Sequence, residues 1–191
     1  MKIAVVGIGN VLMGDEGAGV HAVHMLRRAY QTTDAVILID GGTIALDLLP
    51  FIEGLDGLLI VDAVNAGKAP GELVCIEGEE VPSYLAEKLS VHQIGVPDLL
   101  FSARLIGTLP GKLCLIGMQP GIVDVGITLS AGVEAVMDSI VQQVANKLRE
   151  WGAALQPREN DAETSSLTCP IPEPWCMDRL ARPPDLNAFL Q

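Results

Sequence analysis

The chain has 191 residues, of which 24 are acidic and 12 basic, so its formal net charge at pH 7 is −12. This acidic balance argues against electrostatic binding of nucleic acid, which needs a basic face. No apolar stretch reaches the roughly 18 residues that a membrane-spanning helix needs, and no secretory leader is recognisable, so a cytoplasmic protein without a membrane partner is expected.

Apolar runs alternate with helical patterns over most of the chain. Strands are predicted at residues 2–6, 35–39, 57–61, 73–76 and 112–117. Helices are predicted at residues 17–30, 44–55 with an interruption near Pro50, 97–106 and 131–151, the last capped by Ser130. Continuous apolar strands are typical of a sheet that is covered on both faces. The pattern therefore predicts an α/β fold, a three-layer α/β/α sandwich on a mostly parallel, twisted sheet of about five strands.

The character of the chain changes after residue 155. Six of its twelve prolines lie between Pro157 and Pro184, and no regular period is visible there. We therefore expect one α/β domain over residues 1–155 and a proline-rich tail over residues 156–191. The tail also carries apolar residues such as Ile171, Trp175 and Leu180. It either packs on its own domain or an oligomeric neighbour, or forms a disordered or partner-binding arm.

The four cysteines contain no Cys-x-x-Cys pair, so neither a zinc ribbon nor a thioredoxin-like site is indicated. Cys75 and Cys114 fall inside predicted strands, where both are expected to be small buried thiols. Cys169 and Cys176 lie in the tail and match no metal-binding pattern.

The turn after the first predicted strand carries carboxylates where a phosphate-binding turn would offer backbone. A dinucleotide-binding turn reads Gly-x-Gly-x-x-Gly, but Leu12 occupies the third glycine position here. Asp15 and Glu16 then stand at the entrance of the first helix, where their charges would repel a phosphate. A cation is the better candidate for a ligand, although Asp15 could equally be a simple helix-entry acid.

Further polar residues follow the next predicted strands. Asp40 ends the second strand, Asp62 ends the third, and His92 lies in a loop before the helix at residue 97. Because ligands of parallel sheets bind beyond the carboxyl ends of the strands, these residues are expected at one edge. Glu16, Asp62 and His92 would offer a divalent metal two oxygens and a nitrogen, with water completing the shell. Each residue also has a purely structural interpretation.

His21 and His24 lie three positions apart on the first predicted helix and could share a face. No acidic residue follows at the next helical turn. A structural or surface role is therefore expected for both, in preference to a second metal site.

The sequence resembles the maturation endopeptidases of nickel-iron hydrogenases over residues 1–152. The matching segments are Gly7-Ile8-Gly9-Asn10, Gly14-Asp15-Glu16-Gly17, Asp40-Gly41-Gly42-Thr43, Val61-Asp62-Ala63, Ser90-Val91-His92-Gln93-Ile94-Gly95 and Leu115-Ile116-Gly117-Met118-Gln119-Pro120. By that resemblance Glu16, Asp62 and His92 are the nickel-binding residues, and Asp40 is a nearby acid that assists catalysis together with Glu16 and Asp62.

The resemblance also implies a substrate and a mechanism. The substrate is the hydrogenase large-subunit precursor, whose C-terminal extension is removed after nickel insertion. The precursor would supply the nickel, although other divalent cations could substitute in vitro. Glu16, Asp62 and His92 would grasp this nickel, and Asp40 is the candidate base. A metal-directed hydrolase fits a chain that has neither a Gly-x-Ser-x-Gly elbow nor a His-Glu-x-x-His helix.

Two other functional classes compete with this interpretation. A nickel-binding chaperone or checkpoint protein would engage the same precursor without cutting it. A Rossmann-type nucleotide enzyme is disfavoured by Leu12 and Glu16.

Overall fold

Five strands build one central sheet in the computed structural model, which describes residues 1–88, 95–153 and 155–158. They are β1 (Ile3–Ile8), β3 (Val36–Gly42), β4 (Gly57–Ala63), β5 (Leu73–Glu77) and β6 (Lys112–Met118), while a short β2 (Tyr30–Gln31) pairs with β7 (Gln156–Pro157). The sheet order is β3-β1-β4-β6-β5. All neighbours are parallel except β5, which runs antiparallel to β6 at the edge. The mostly parallel five-stranded sheet is confirmed.

Helices cover both faces of this sheet. They are α1 (Ala18–Ala29), α2 (Leu49–Ile52), α3 (Glu80–Lys88), α4 (Val96–Leu105), α5 (Ala131–Glu134) and α6 (Met137–Glu150). Two short 3-10 helices, Gly14–Gly17 and Ala45–Leu48, precede α1 and α2. α1 and α6 cover one face, and α2, α3 and α4 cover the other. The three-layer sandwich is therefore confirmed.

Each face of the sheet has its own apolar cluster. Alternation along β4 sends Leu59 and Val61 towards α1 and α6, and Leu58 and Ile60 towards the other helical layer. Both sets are buried because the strands are apolar throughout, as a doubly covered sheet requires.

Several predicted elements differ in detail from those observed. The helix expected at residues 44–55 is a 3-10 turn followed by α2, and Pro50 sits in the first turn of α2, where its missing N–H costs least. The helix expected at residues 131–151 is divided into α5 and α6. α3 was not predicted. Gln156 and Pro157, placed in the tail by composition, pair with Gln31 and Tyr30.

One compact unit spans Met1–Arg158. The remaining tail, including Cys169 and Cys176, lies outside the described residues, so its two alternative interpretations stay predictions. In the described part of the chain, none of the helices has the length and apolarity to span a membrane.

Candidate functional site

The carboxyl ends of β1, β3, β4 and β6 meet at one edge of the sheet because these strands are parallel. β1 leads into the turn that carries Glu16, β3 ends beside Asp40, and β4 ends beside Asp62. This is the edge at which open α/β sheets bind ligands.

Glycine brings the Glu16 turn close to β1. Gly9 has a φ of 131°, a conformation that residues with a Cβ rarely adopt. A Cβ at this position would also collide with the backbone carbonyl oxygen of Glu16. The 3-10 turn Gly14–Gly17 can therefore fold back over the end of β1 only because residue 9 is glycine.

Glu16 and Asp62 interact electrostatically. Both are partly buried. Burial is the largest cause that raises the pKa of Asp62, a hydrogen bond from the Ala63 N–H opposes it, and the negative charge of Glu16 adds to the rise; together they bring this pKa to about 7. Asp62 therefore favours a retained proton or a nearby cation, because a positive charge would offset both its burial and the charge of Glu16.

His92, the third expected ligand, lies in residues 89–94, outside the described residues. Among the residues that the structure does describe, no three His, Cys, Asp or Glu side chains are grouped so that they could hold a metal ion. The carboxylate pair fits the oxygen part of the expected set. The roles assigned to Glu16, Asp62 and His92 stay predictions.

Asp40 leaves the sheet on a different face from Asp62. Leu38 and Val61 both pack in the cluster beneath α1 and α6. Side chains alternate along a strand. Asp40, two residues after Leu38, therefore lies on the face covered by α1 and α6, and Asp62, one residue after Val61, lies on the opposite face. The partners of Asp40 accordingly come from α1, and its role as a base stays a prediction.

His24 of α1 is the main partner of Asp40. Its Nε2 lies 2.9 Å from Asp40 Oδ2, and the Gly42 N–H donates to Asp40 Oδ1 at 3.2 Å. The hydrogen bond with His24 lowers the pKa of Asp40 more than burial raises it. The acidic partner that was missing along the helix is thus supplied by a neighbouring strand.

His21 sits beside this pair without joining it. Its Nε2 is buried and has no hydrogen-bond partner among the described residues. Burial, and then the nearby His24, lower the pKa of His21, which favours the neutral ring.

Asp15 is a structural anchor that sequence reasoning left undecided. It is fully buried and accepts hydrogen bonds from Gly121 N at 2.7 Å, Ile122 N at 2.8 Å, Ser130 N at 2.6 Å and Ser130 Oγ at 2.7 Å. Burial raises its pKa, but these bonds together outweigh burial and lower it. Ser130 occupies the N-cap position of α5, as expected, but its hydroxyl makes no capping bond to the helix and donates to Asp15.

Gln119 was missed as a positioning residue. It is buried at the end of β6, and its Oε1 accepts from Ala66 N at 2.8 Å and Lys68 N at 3.1 Å. These bonds fix the segment that follows Asp62. The only sequence signal was its place in the Met118-Gln119-Pro120 segment.

Exposed apolar side chains lie on the segments that Asp15 ties together. Residues 119–130 form the β6–α5 loop, which pairs with the Glu16 turn through Gly14 N to Gly126 O at 2.8 Å and Gly126 N to Leu12 O at 2.9 Å. The exposed side chains, here called the apolar rim, are Leu12, Ile122, Val123, Val125 and Ile127. The rim therefore lies next to the candidate site. Two small cavities at the opposite end of β6, around Gly111 and Leu113, are not lined by Glu16, Asp40 or Asp62.

Known proteins resemble this chain in both sequence and fold. The family model described as hydrogenase maturation protease matches residues 20–147. The hydrogenase 2 maturation protease of Escherichia coli K12 is 40% identical over 160 residues, which cover 83% of this chain and 98% of that protein. The hydrogenase expression/formation protein HupD of Rhizobium leguminosarum bv. viciae is 39% identical over 168 residues, covering 87% of this chain and 83% of the relative.

Solved structures agree with these relatives. The hydrogenase maturating endopeptidase HybD from E. coli superposes with a TM-score of 0.78 at 39% identity, covering 83% of this chain and 98% of that chain. The [NiFe] hydrogenase maturation protease HybD from Thermococcus kodakarensis gives 0.64 at 30% identity, covering 78% and 99%. Sequence and fold together show that this chain belongs to the hydrogenase maturation protease family.

Proposed function

We propose that this chain is an endopeptidase that removes the C-terminal extension of the nickel-loaded large-subunit precursor of a nickel-iron hydrogenase. The observation that carries the proposal is the Glu16 and Asp62 pair at the carboxyl edge of the sheet, where the two negative charges favour a cation. Family membership supplies the reaction class, a hydrolase that cuts peptide bonds.

Nickel enters this scheme as part of the substrate. The precursor would present the ion, and the two carboxylates, with His92, would bind it and so fix the scissile peptide beside the site. The pKa of Asp62 lies at about 7, and a bound cation would lower it, because a positive charge favours the ionised carboxylate. The metal would polarise the peptide carbonyl or activate a water molecule.

The apolar rim supports a protein substrate over a small molecule. Five exposed apolar side chains on a backbone held by Asp15 form a surface that a folded partner can cover.

The experiment is a cleavage assay with purified full-length protein and two forms of the precursor, nickel-loaded and nickel-free. Mass spectrometry of the precursor should show loss of a C-terminal fragment from the loaded form alone. Cleavage of the nickel-free form at the same rate would contradict nickel-directed recognition. Stable binding of the loaded precursor without any mass loss would favour the chaperone or checkpoint function.

Three variants test the ligand set: Glu16→Gln, Asp62→Asn and His92→Ala. Each should lower the cleavage rate by at least roughly 100-fold, the upper end of what losing an outer-shell partner costs at metal sites. Glu53→Gln makes the same charge change at an exposed position and should cleave normally. In the metal-free protein Glu16→Gln should be neutral or mildly stabilising, because it relieves repulsion with Asp62. A Glu16→Gln protein that still processed the loaded precursor would rule out this site.

A further inference from the structure

Two thiols face each other across the antiparallel edge of the sheet. Cys75 on β5 pairs with Ile116 on β6, and Cys114 pairs with Glu77, so the two cysteines are diagonal neighbours on the same face. Their sulfur atoms lie 3.8 Å apart. In a disulfide the two sulfur atoms lie about 2.05 Å apart. The two side chains and the edge strand β5 would therefore have to move closer to β6 for the bond to form.

The two thiols differ in access. The expectation that both are buried is wrong for Cys75, which is exposed on β5, the strand at the edge of the sheet. Cys114 is 0% exposed and packs in the cluster beneath α6. A dissolved oxidant can therefore reach Cys75 and cannot reach Cys114.

Their surroundings keep Cys114 protonated. Burial is the largest cause that raises the pKa of its thiol, and the neighbouring Cys75 raises it further. The Lys147 ammonium lowers the pKa of the Cys114 thiol. It also donates hydrogen bonds to Glu77 at 2.8 Å and Glu150 at 2.7 Å. Because a thiol is a weaker nucleophile than a thiolate, Cys114 is inert until a reactive sulfur stands beside it.

We propose that Cys75 and Cys114 form an oxidisable thiol pair that closes to an intramolecular disulfide when a hydroperoxide reaches Cys75. With hydrogen peroxide, the Cys75 sulfur attacks one peroxide oxygen, the O–O bond breaks, and one water leaves, which gives a sulfenic acid. The Cys114 sulfur then attacks the Cys75 sulfur, the S–O bond breaks, and the thiol proton of Cys114 passes to the leaving hydroxyl group, which departs as a second water. The two thiols lose two electrons and two protons, and the peroxide is reduced to two waters.

The pair would protect the exposed thiol. A sulfenic acid without a partner thiol can be oxidised further to sulfinic acid, which is essentially irreversible, whereas a disulfide is restored by a dithiol reductant. The bond would also tie the edge strand to its neighbour. None of this depends on the proposed peptidase function.

The test uses the full chain with Cys169→Ser and Cys176→Ser, so that Cys75 and Cys114 are the remaining thiols. After treatment with hydrogen peroxide, the intact mass should fall by two hydrogens. Trypsin should then release residues 69–88 joined to residues 113–147, and dithiothreitol should separate them. The oxidised protein should also melt at a higher temperature, because the cross-link restricts the unfolded chain.

Two variants in the same background separate the roles of the thiols. With Cys75→Ser, Cys114 should stay unmodified at a peroxide dose that fully closes the pair. With Cys114→Ala, dimedone present during oxidation should trap Cys75 as a sulfenic acid, and without dimedone Cys75 should go on to the sulfinic acid. If the Cys114→Ala protein does not fold, the proposal is tested by comparing the two-thiol protein with the Cys75→Ser protein, which is altered at an exposed position. Oxidation of Cys75 without the joined peptides, or joining between two chains only, would overturn the proposal.

Discussion

At the scale of single residues, Asp15 links the turn that carries Glu16 to the loop after β6. Its two carboxylate oxygens accept four hydrogen bonds, three from backbone N–H groups and one from the Ser130 hydroxyl. All four donors belong to the β6–α5 loop or its end, more than 100 positions away in sequence. One buried carboxylate therefore sets the position of the loop relative to Glu16.

Asp15→Asn should destabilise the protein. The amide group can replace only part of the acceptor capacity, so at least one buried donor loses its partner, at a cost of about 1–3 kcal/mol in unfolding free energy. Urea unfolding measures the difference. Asp124→Asn makes the same change at an exposed position of the same loop and should change stability little. Equal stabilities of the two variants would show that Asp15 is not the anchor.

The pair of His24 and Asp40 predicts a dependence of stability on pH. The hydrogen bond holds the pKa of Asp40 below its ordinary 3.8, so its contribution is present above pH 3.8 and is lost as the pH falls through the lower folded value. The titratable and charged groups that interact with Asp40 are His24, Arg27 and His21, all from α1.

This dependence can be isolated by comparing wild-type protein with Asp40→Asn in urea unfolding at a series of pH values. The stability difference should be largest above pH 3.8 and should vanish in stronger acid. His24→Ala should flatten the profile in the same way, while Asp34→Asn, at an exposed position, should not. Parallel profiles for wild type and Asp40→Asn would contradict the assigned pairing.

At the scale of elements, the β6–α5 loop joins the fold to the proposed substrate. Asp15 anchors it near both ends, and Gly126 bonds to Gly14 and Leu12 in its middle. The loop therefore has a defined backbone although it contains no helix or strand. Its apolar side chains stay exposed because its backbone polar groups, not an apolar core, hold it in place.

Replacing Val125 and Ile127 together by serine should weaken precursor processing without weakening the fold. Both side chains are exposed, so unfolding free energy should change little, whereas loss of two apolar contacts should raise KM by roughly 10-fold or more. Phe101→Ser and Leu105→Ser remove exposed apolar side chains from α4, away from the rim, and serve as the control. A KM that rises equally in the control, or in neither variant, would remove the rim from recognition.

At the scale of the whole molecule, the chain after α6 forms β7, the second strand of a small two-stranded sheet. β7 pairs with β2, and Arg158 adds its backbone N–H to Ala29 O at 2.9 Å and its Nε to Tyr30 O at 3.1 Å. The compact unit therefore extends to Arg158, beyond the change in composition at residue 156.

Truncation separates this closure from the tail. A chain that ends at Leu155 should have a lower free energy of unfolding than one that ends at Arg158, by about 1 kcal/mol for each hydrogen bond that the truncation removes. Thermal unfolding of both, beside the full chain, gives the difference. If residues 159–191 also pack onto the domain, the full chain should melt above the one that ends at Arg158. Equal melting of the two truncated forms would mean that β7 adds nothing.

The sequence by itself determined the fold class and the edge that carries the acids. Continuous apolar strands that alternate with helical patterns are typical of a parallel sheet covered by helices on both faces. The carboxyl ends of parallel strands lie at the same edge of such a sheet. The positions of Glu16, Asp40 and Asp62 at strand ends followed from those two facts alone.

Tertiary structure decided which side chains meet. The hydrogen bond from Ser130 to Asp15, the contact of His24 with Asp40 and the approach of the Cys75 and Cys114 sulfur atoms all join residues from separate elements. Local periodicity carries no record of such pairs, because they depend on sheet order and on which face each side chain takes. The same reason explains why Cys75 was expected to be buried: a sequence reveals a strand, but only the assembled sheet reveals that the strand lies at the edge.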